Sequence, residues 1–107
     1  MNDFKKREKS EEAKFALEQE VRFKAEARRN KLLGLWAADL MGMTDDEAQK
    51  YAIEVIKSDF EEPGDEDVFR KIRSDFDARN IAQSDHQIRR TMDELMATAI
   101  KQVTEES

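Results

Sequence analysis

Apolar side chains recur every three or four positions along most of this sequence, which is the spacing of one buried face of an α-helix. The alternation of apolar and polar residues that marks half-buried strands is not evident. The pattern predicts an all-α protein, a four-helix bundle whose helices cover about residues 15–42, 44–61, 65–79 and 84–104. Short connections between these helices favour antiparallel neighbours.

Capping signals predict where the later helices begin. Thr44 with Glu47, and Ser84 with Gln87, have the spacing of capping boxes at the starts of the second and fourth helices. Asp65 is the predicted N-cap of the third helix, where its acidic side chain suits the positive end of the helix dipole.

Glycine and proline predict where helices end. Gly42 is the expected stop of the first helix, and the pair Pro63 and Gly64 is expected to end the second. The predicted buried stripes of the last three helices are Ala48, Tyr51, Ala52, Val55, Ile56 and Phe60; Val68, Phe69, Ile72 and Phe76; and Ile88, Met92, Leu95, Met96, Ala99, Ile100 and Val103.

The first helix changes character along its length. Residues 1–20 are almost wholly charged and residues 32–43 almost wholly apolar, with no proline between them. Apolar residues lie on more than one side of the helix around Trp36, so we predict Trp36 as the centre of the core. The side predicted to pack consists of Leu17, Val21, Ala25, Leu32, Leu33, Leu35, Trp36, Leu40 and Met41.

This contrast predicts two parts, an N-terminal arm at residues 1–20 and a four-helix domain at residues 21–107. The arm contains good helix formers but few apolar side chains. We therefore expect the arm to be partly disordered when free, and to fold when it binds a groove on a partner.

Charge is unevenly distributed around the net value of −6. Residues 21–31 carry five basic and one acidic side chain, whereas residues 32–69 carry two basic and eleven acidic side chains. The basic segment is short, which argues against binding to nucleic acid. Within it, Arg28, Arg29 and Lys31 are a candidate contact for a nucleotide or a partner; a solvated helical face is the simpler interpretation.

Residues for catalytic chemistry are few. The chain has no cysteine and one histidine, His86, in the first turn of the fourth helix, where an exposed residue is ordinary. We expect no enzyme, no metal and no required cofactor, with only weak association of ATP or ADP. A calcium-binding loop that began at Asp59 would have Pro63 at its fifth position and Arg70 at its twelfth, where a glutamate is required. The acidic turn at residues 59–67 therefore does not match such a loop. No apolar run reaches the ~20 residues of a membrane span, so we expect a soluble, cytoplasmic protein.

Two longer motifs resemble a known family. They are residues 23–38, FKAEARRNKLLGLWAA, and residues 59–68, DFEEPGDEDV. With Phe4 and Phe15 in the arm, they resemble the zeta-subunit family, the inhibitor proteins of alphaproteobacterial F-type ATP synthases. The resemblance covers nearly the whole chain and is weakest at residues 43–50 and 78–87.

The resemblance implies a monomeric four-helix inhibitor whose N-terminal segment enters the catalytic head of the synthase. It would lie between nucleotide-binding subunits, close to the central stalk, and block rotation in the hydrolytic direction. The protein would be peripheral to the inner membrane through the synthase. From residue type, we expect Phe4 and Phe15 to be apolar anchors. The expected contact residues of the arm are Asn2, Asp3, Phe4, Lys5, Lys6, Arg7, Glu8, Lys9, Lys14 and Phe15.

Two alternative classes remain open from the residues alone. A helical adaptor would use the same arm to bind another complex, and adding it would leave purified synthase unaffected. A nucleotide-sensing module would bind ATP or ADP on one face of the bundle, near Arg28 and Arg29.

Overall fold

The computed structural model describes the backbone of residues 2–60 and 64–106, and the side chains of residues 18–60 and 64–106. Within these residues the chain forms four helices and no strand: α1 (Asn2–Leu40), α2 (Asp45–Ser58), α3 (Glu66–Ala78) and α4 (Asp85–Glu106). The predicted all-α, four-helix architecture is confirmed. α1 begins at Asn2 instead of near residue 15, and α2 ends at Ser58 instead of near residue 61. The predicted stop at Pro63 lies outside the described residues.

The helix starts follow the capping signals. At α2, the Thr44 hydroxyl accepts a hydrogen bond from the Glu47 amide at 3.3 Å. At α4, the Ser84 hydroxyl accepts from the Gln87 amide at 3.1 Å, and the Gln87 side chain accepts from the Ser84 amide at 2.8 Å. Each bond satisfies an amide that has no partner within the first turn of the helix.

Two helices end with a residue in the left-handed conformation. After α1, Gly42 has a φ of 71°, and the next amide, that of Met43, donates to the Ala38 carbonyl at 3.0 Å. Asn80 occupies the equivalent position after α3 with a φ of 59°. Glycine and asparagine tolerate this conformation better than other residues, so the predicted stop at Gly42 is confirmed.

The hydrophobic side chains that the structure describes form two clusters. The smaller cluster lies where α4 packs against the middle of α1, and it consists of Ala25, Ala99 and Val103, with Val21 and Met96 against it; it is called the second cluster below. The main cluster joins all four helices, and it consists of Leu33, Ala37, Ala38, Tyr51, Val55, Val68, Phe69, Ile72, Phe76, Ile88 and Met92.

The prediction that Trp36 is the centre of the core is wrong. Leu33 is fully buried, whereas Trp36 is half-buried at the margin of the main cluster and packs edge-on against Phe76, with ring centroids 5.6 Å apart. Small residues let α1 approach α2 closely: a Cβ added to Gly34 would lie 2.6 Å from the Ala52 Cα. The face of α1 that contains Leu33 and Gly34 therefore points inward, and the larger Trp36 lies beside it.

Of the predicted apolar residues, Leu17 lies outside the described side chains, and three of the described ones lie on the surface instead. Leu40 is 38% exposed, Ile100 47% and Phe60 72%. Phe60 follows the end of α2, so helical periodicity does not apply to it. Leu40 is the last residue of α1, and Ile100 follows the buried Ala99 about 100° further around α4.

Candidate partner-binding surfaces

The predicted arm is the N-terminal part of α1. The side chains of residues 18–20 are exposed, and Val21 is the first described side chain of α1 that packs against a hydrophobic cluster. The predicted contact residues lie outside the described side chains, so their roles stay predictions: Asn2, Asp3, Phe4, Lys5, Lys6, Arg7, Glu8, Lys9, Lys14 and Phe15.

A buried polar network holds α1 to the connection between α2 and α3. Arg29 is 1% exposed; its Nε donates to Asn30 Oδ1 at 2.7 Å and its Nη2 donates to Asp65 Oδ1 at 2.8 Å. The Asn30 amide in turn donates to Asp59 Oδ2 at 3.0 Å. We call Arg29, Asn30, Asp59 and Asp65 the neck network. It fixes both ends of the α2–α3 connection to one turn of α1.

The neck network changes the predicted role of Asp65. This residue lies at the N-cap position of α3, as predicted, but its side chain makes no hydrogen bond to the helix amides. Its carboxylate pairs with the buried Arg29 guanidinium instead. A buried cation needs a partner more than an exposed helix end does, because water can satisfy the helix amides.

The three basic residues predicted as contacts lie in three different environments. Arg29 is buried in the neck network, so the expectation of a solvated face does not hold for it. Arg28 reaches α4, where it donates to Gln102 Oε1 at 2.9 Å and pairs with Glu106 at 2.8 Å. Lys31 is exposed. They do not form one cationic surface, and nucleotide or partner contact at these residues stays a prediction.

A groove of about 340 Å³ lies beside Tyr51. The Tyr51 hydroxyl donates to Asp75 Oδ2 at 2.7 Å, and Lys71 Nζ donates to the same oxygen at 3.0 Å. Burial, followed by the hydrogen bond to Asp75, raises the pKa of Tyr51. Burial alone would lower the pKa of Lys71, but its bonds to Asp75 and Glu54 outweigh this and raise it. Tyr51 therefore stays neutral and Lys71 charged near neutral pH, and neither can serve as a general base.

Two further depressions lie along α1. One, of about 470 Å³, lies between α1 and α4 and is mainly apolar; Val21, Ala25, Met96 and Ile100 line it. The other, of about 180 Å³, lies between α1 and the end of α2. Both lie beside the part of α1 that leads into the arm.

Two exposed aromatic side chains line the depression between α1 and the end of α2. The sequence analysis did not identify either of them as a surface residue. Phe23 is 64% exposed and Phe60 is 72% exposed. Phe23 lies two positions before the buried Ala25, which in a helix places it on the opposite side. This spacing could have identified Phe23 as a surface residue, whereas Phe60 required knowledge of where α2 ends.

His86 is exposed in the first turn of α4, as predicted. In the part of the chain that the structure describes, no three side chains of histidine, cysteine, aspartate or glutamate come together to hold a metal ion. Within the same residues, none of the helices combines the length and the apolar character that crossing a bilayer requires.

The fold and these surfaces define a small helical protein whose distinctive features are a protruding helix and preformed depressions beside it. A model of the ATPase inhibitor subunit zeta family matches residues 1–102, and the chain belongs to this family. Comparison with curated proteins gives no match. The chain is also similar to a protein whose structure was solved by solution NMR, with 48% identity and a TM-score of 0.72; the match covers 81% of this chain and 99% of that chain.

Family membership confirms the resemblance found in the two sequence motifs. It gives the protein the general role of an ATP synthase inhibitor and implies that it interacts with an ATP synthase. The family is regulatory and not catalytic.

Proposed function

We propose that this protein blocks ATP hydrolysis by the F-type ATP synthase by inserting its arm into the catalytic head, between nucleotide-binding subunits and close to the central stalk. The proposal depends most on one observation. α1 begins at Asn2, whereas the first of its described side chains to pack against a cluster is Val21. A helix that continues well beyond its packed part is suited to contact another protein.

The dimensions and charge of the arm suit a cleft between subunits. At about 1.5 Å per residue, a helix over residues 2–20 is about 28 Å long. Residues 1–20 carry five basic and six acidic side chains, so the arm can form charged contacts with both walls of a polar cleft. A ligand that fits the cleft in one rotational state favours that state and stops the cycle there.

The bundle holds the part of α1 that follows the arm in a fixed helical conformation. The second cluster at Ala25 and the neck network at Arg29 hold α1 from about Val21 onward. Helix nucleation is the costly step of helix formation, and extension from an existing helix adds one hydrogen bond for each residue that is fixed. The packed part of α1 therefore supplies the nucleus from which the helix continues through the arm.

Deleting residues 2–14 tests the proposal. Because both hydrophobic clusters begin at Val21 or later, we expect the shortened protein to keep a cooperative thermal transition by circular dichroism. It should lose inhibition when it is titrated against the ATP hydrolysis rate of the purified synthase.

The matched control changes a charge on the bundle. Arg90→Gln removes an exposed basic side chain of α4 that bonds to Glu94 at 3.0 Å, and this variant should inhibit as strongly as the unchanged protein. Full inhibition by the folded, shortened protein would contradict the proposal.

A further inference from the structure

Phe23 and Phe60 are the two most exposed large apolar side chains among the described residues. They are far apart in sequence, yet they line the same depression of about 180 Å³ between α1 and the end of α2. Ala27, Asn30 and Ile56 line it with them, and two acidic residues, Glu26 and Asp59, complete it.

The depression is held in place by the neck network. Asn30 is 1% exposed, and its bond to Asp59 at 3.0 Å fixes the end of α2 against α1. The adjacent Arg29 holds the start of α3 through Asp65. A site that is already formed does not have to be ordered when a partner binds, which favours affinity.

The two aromatic rings are not explained by the fold. Among the side chains that the structure describes, neither Phe23 nor Phe60 belongs to a hydrophobic cluster or packs against one. Single exposed apolar residues are ordinary, but two rings around one preformed depression make a patch. Aromatic side chains are enriched at protein interfaces, where a few such residues dominate the affinity.

The charge around the depression indicates what it can bind. Of the described residues that line it, Glu26 and Asp59 are the charged ones, and both are acidic. Arg22 approaches Glu26 at 3.6 Å, but both side chains are exposed and such pairs are weak. The surface therefore suits an apolar side chain beside a lysine or an arginine.

We propose that Phe23 and Phe60, with Glu26 beside them, form a second docking surface for the synthase head, which binds an apolar side chain flanked by a basic residue. This inference rests on the proposed function, because that function supplies the partner. Phe23 follows the arm by three positions on the same helix. When the arm is inserted in the head, the surface of the head around the arm therefore lies next to the depression. The second contact strengthens binding, and the arm stops rotation.

A double variant of the full chain, Phe23→Ala with Phe60→Ala, tests this surface. We expect the concentration for half-maximal inhibition of the purified synthase to rise about tenfold or more, because truncated interface anchors commonly have effects of this size. Maximal inhibition at saturation should not change, since the arm is intact. The melting temperature should stay within about 3 °C, because neither ring packs in a cluster.

The matched control is the double variant Leu40→Ala with Ile53→Ala, which shortens two other exposed side chains at 38% and 51% exposure. It should shift the half-maximal concentration less than twofold. The single variant Phe60→Ala lies outside the helices and should show an intermediate shift without any effect on folding. Glu26→Gln should also weaken inhibition, and the loss should be larger at low salt.

An unchanged half-maximal concentration for the Phe23 and Phe60 double variant would overturn the second docking surface and leave the arm proposal standing. Full inhibition by the protein that lacks residues 2–14 would overturn the arm proposal instead. In that case, the affinity of the double variant for the head, measured by direct binding, still decides whether the surface exists. A photocrosslinker at position 60 should react with a head subunit; reaction only with another copy of this chain would contradict the inference.

Discussion

In the folded state, the surroundings of the Tyr51 side chain keep its hydroxyl protonated. Its pKa lies well above the ordinary value of 10.0, first because of burial and then because of the hydrogen bond to Asp75. At a pH between the pKa of Tyr51 in the unfolded chain and its pKa in the folded protein, the folded state keeps the hydroxyl proton that the unfolded chain releases. The resulting stability is complete below pH 10 and is lost as the pH rises through the folded pKa.

The variant Tyr51→Phe tests this coupling. Near neutral pH it should lose about 1 kcal/mol, because the Asp75 hydrogen bond is removed. Above about pH 10, the free energy of unfolding of the unchanged protein should fall more steeply with pH than that of the variant. Urea unfolding at a series of pH values measures both slopes, and equal slopes would contradict the prediction.

The chain allows a direct control for the Tyr51 prediction. It contains one tyrosine, so the absorbance of tyrosinate reports Tyr51 alone. We expect this absorbance to appear only when alkaline unfolding occurs, as followed by circular dichroism. Tyrosinate in the folded protein near pH 10 would show that the phenol is not held as proposed.

At the scale of the helices, the packing of α1 on α2 depends on one glycine. A Cβ at Gly34 would lie 2.6 Å from the Ala52 Cα and 3.2 Å from its Cβ. The closer atom belongs to the backbone and cannot rotate away. Any larger residue at position 34 must therefore separate the two helices.

Gly34→Ala should destabilise the protein although alanine is the better helix former. The gain in helix propensity is about 1 kcal/mol, whereas overpacking costs typically 1–3 kcal/mol and more when backbone atoms collide. We expect a net loss of about 1–3 kcal/mol in urea unfolding. The control Ser74→Ala, at an exposed position of α3, should change stability by less than about 0.5 kcal/mol.

A second substitution distinguishes the cause of this loss. Adding Ala52→Gly to Gly34→Ala removes the contact at 3.2 Å but leaves the backbone contact at 2.6 Å. The pair should therefore remain less stable than the unchanged protein. Recovery of full stability by the pair would show that the helices separate at little cost.

At the scale of the whole molecule, the neck network joins the packed part of α1 to the connection between α2 and α3. The Arg29 side chain is only 2% exposed, whereas its partner Asp65 is 55% exposed. Loss of Asp65 leaves a buried guanidinium without its counter-charge. Replacing Arg29 by methionine removes the buried charge and keeps much of the apolar volume.

We therefore expect Asp65→Ala to cost more stability than Arg29→Met, although Asp65 is the more exposed residue. The loss should be about 2–4 kcal/mol for Asp65→Ala and at least about 1 kcal/mol less for Arg29→Met, since breaking a buried pair costs more than replacing its charge. Urea unfolding of both variants tests this order. A smaller loss for Asp65→Ala than for Arg29→Met would contradict it.

Local chemistry determined much of this structure from the sequence. The two capping boxes, the stop at Gly42 and the periodic apolar stripes each depend on residues within a few positions of one another, so they can be found without a fold. The family is evident from the two long motifs and was confirmed by the match over residues 1–102.

Only the tertiary structure decided which residues meet across the bundle. Arg29 lies in a basic stretch of the sequence, yet the connection between α2 and α3 buries it against Asp65. Phe60 fits an apolar stripe, yet α2 ends two residues earlier and leaves it beside Phe23. Periodicity specifies the direction of a side chain within its own helix, but burial depends on the other helices that lie there. The sequence thus determined the helices and the family, whereas the neck network and the paired phenylalanines follow from contacts between distant segments.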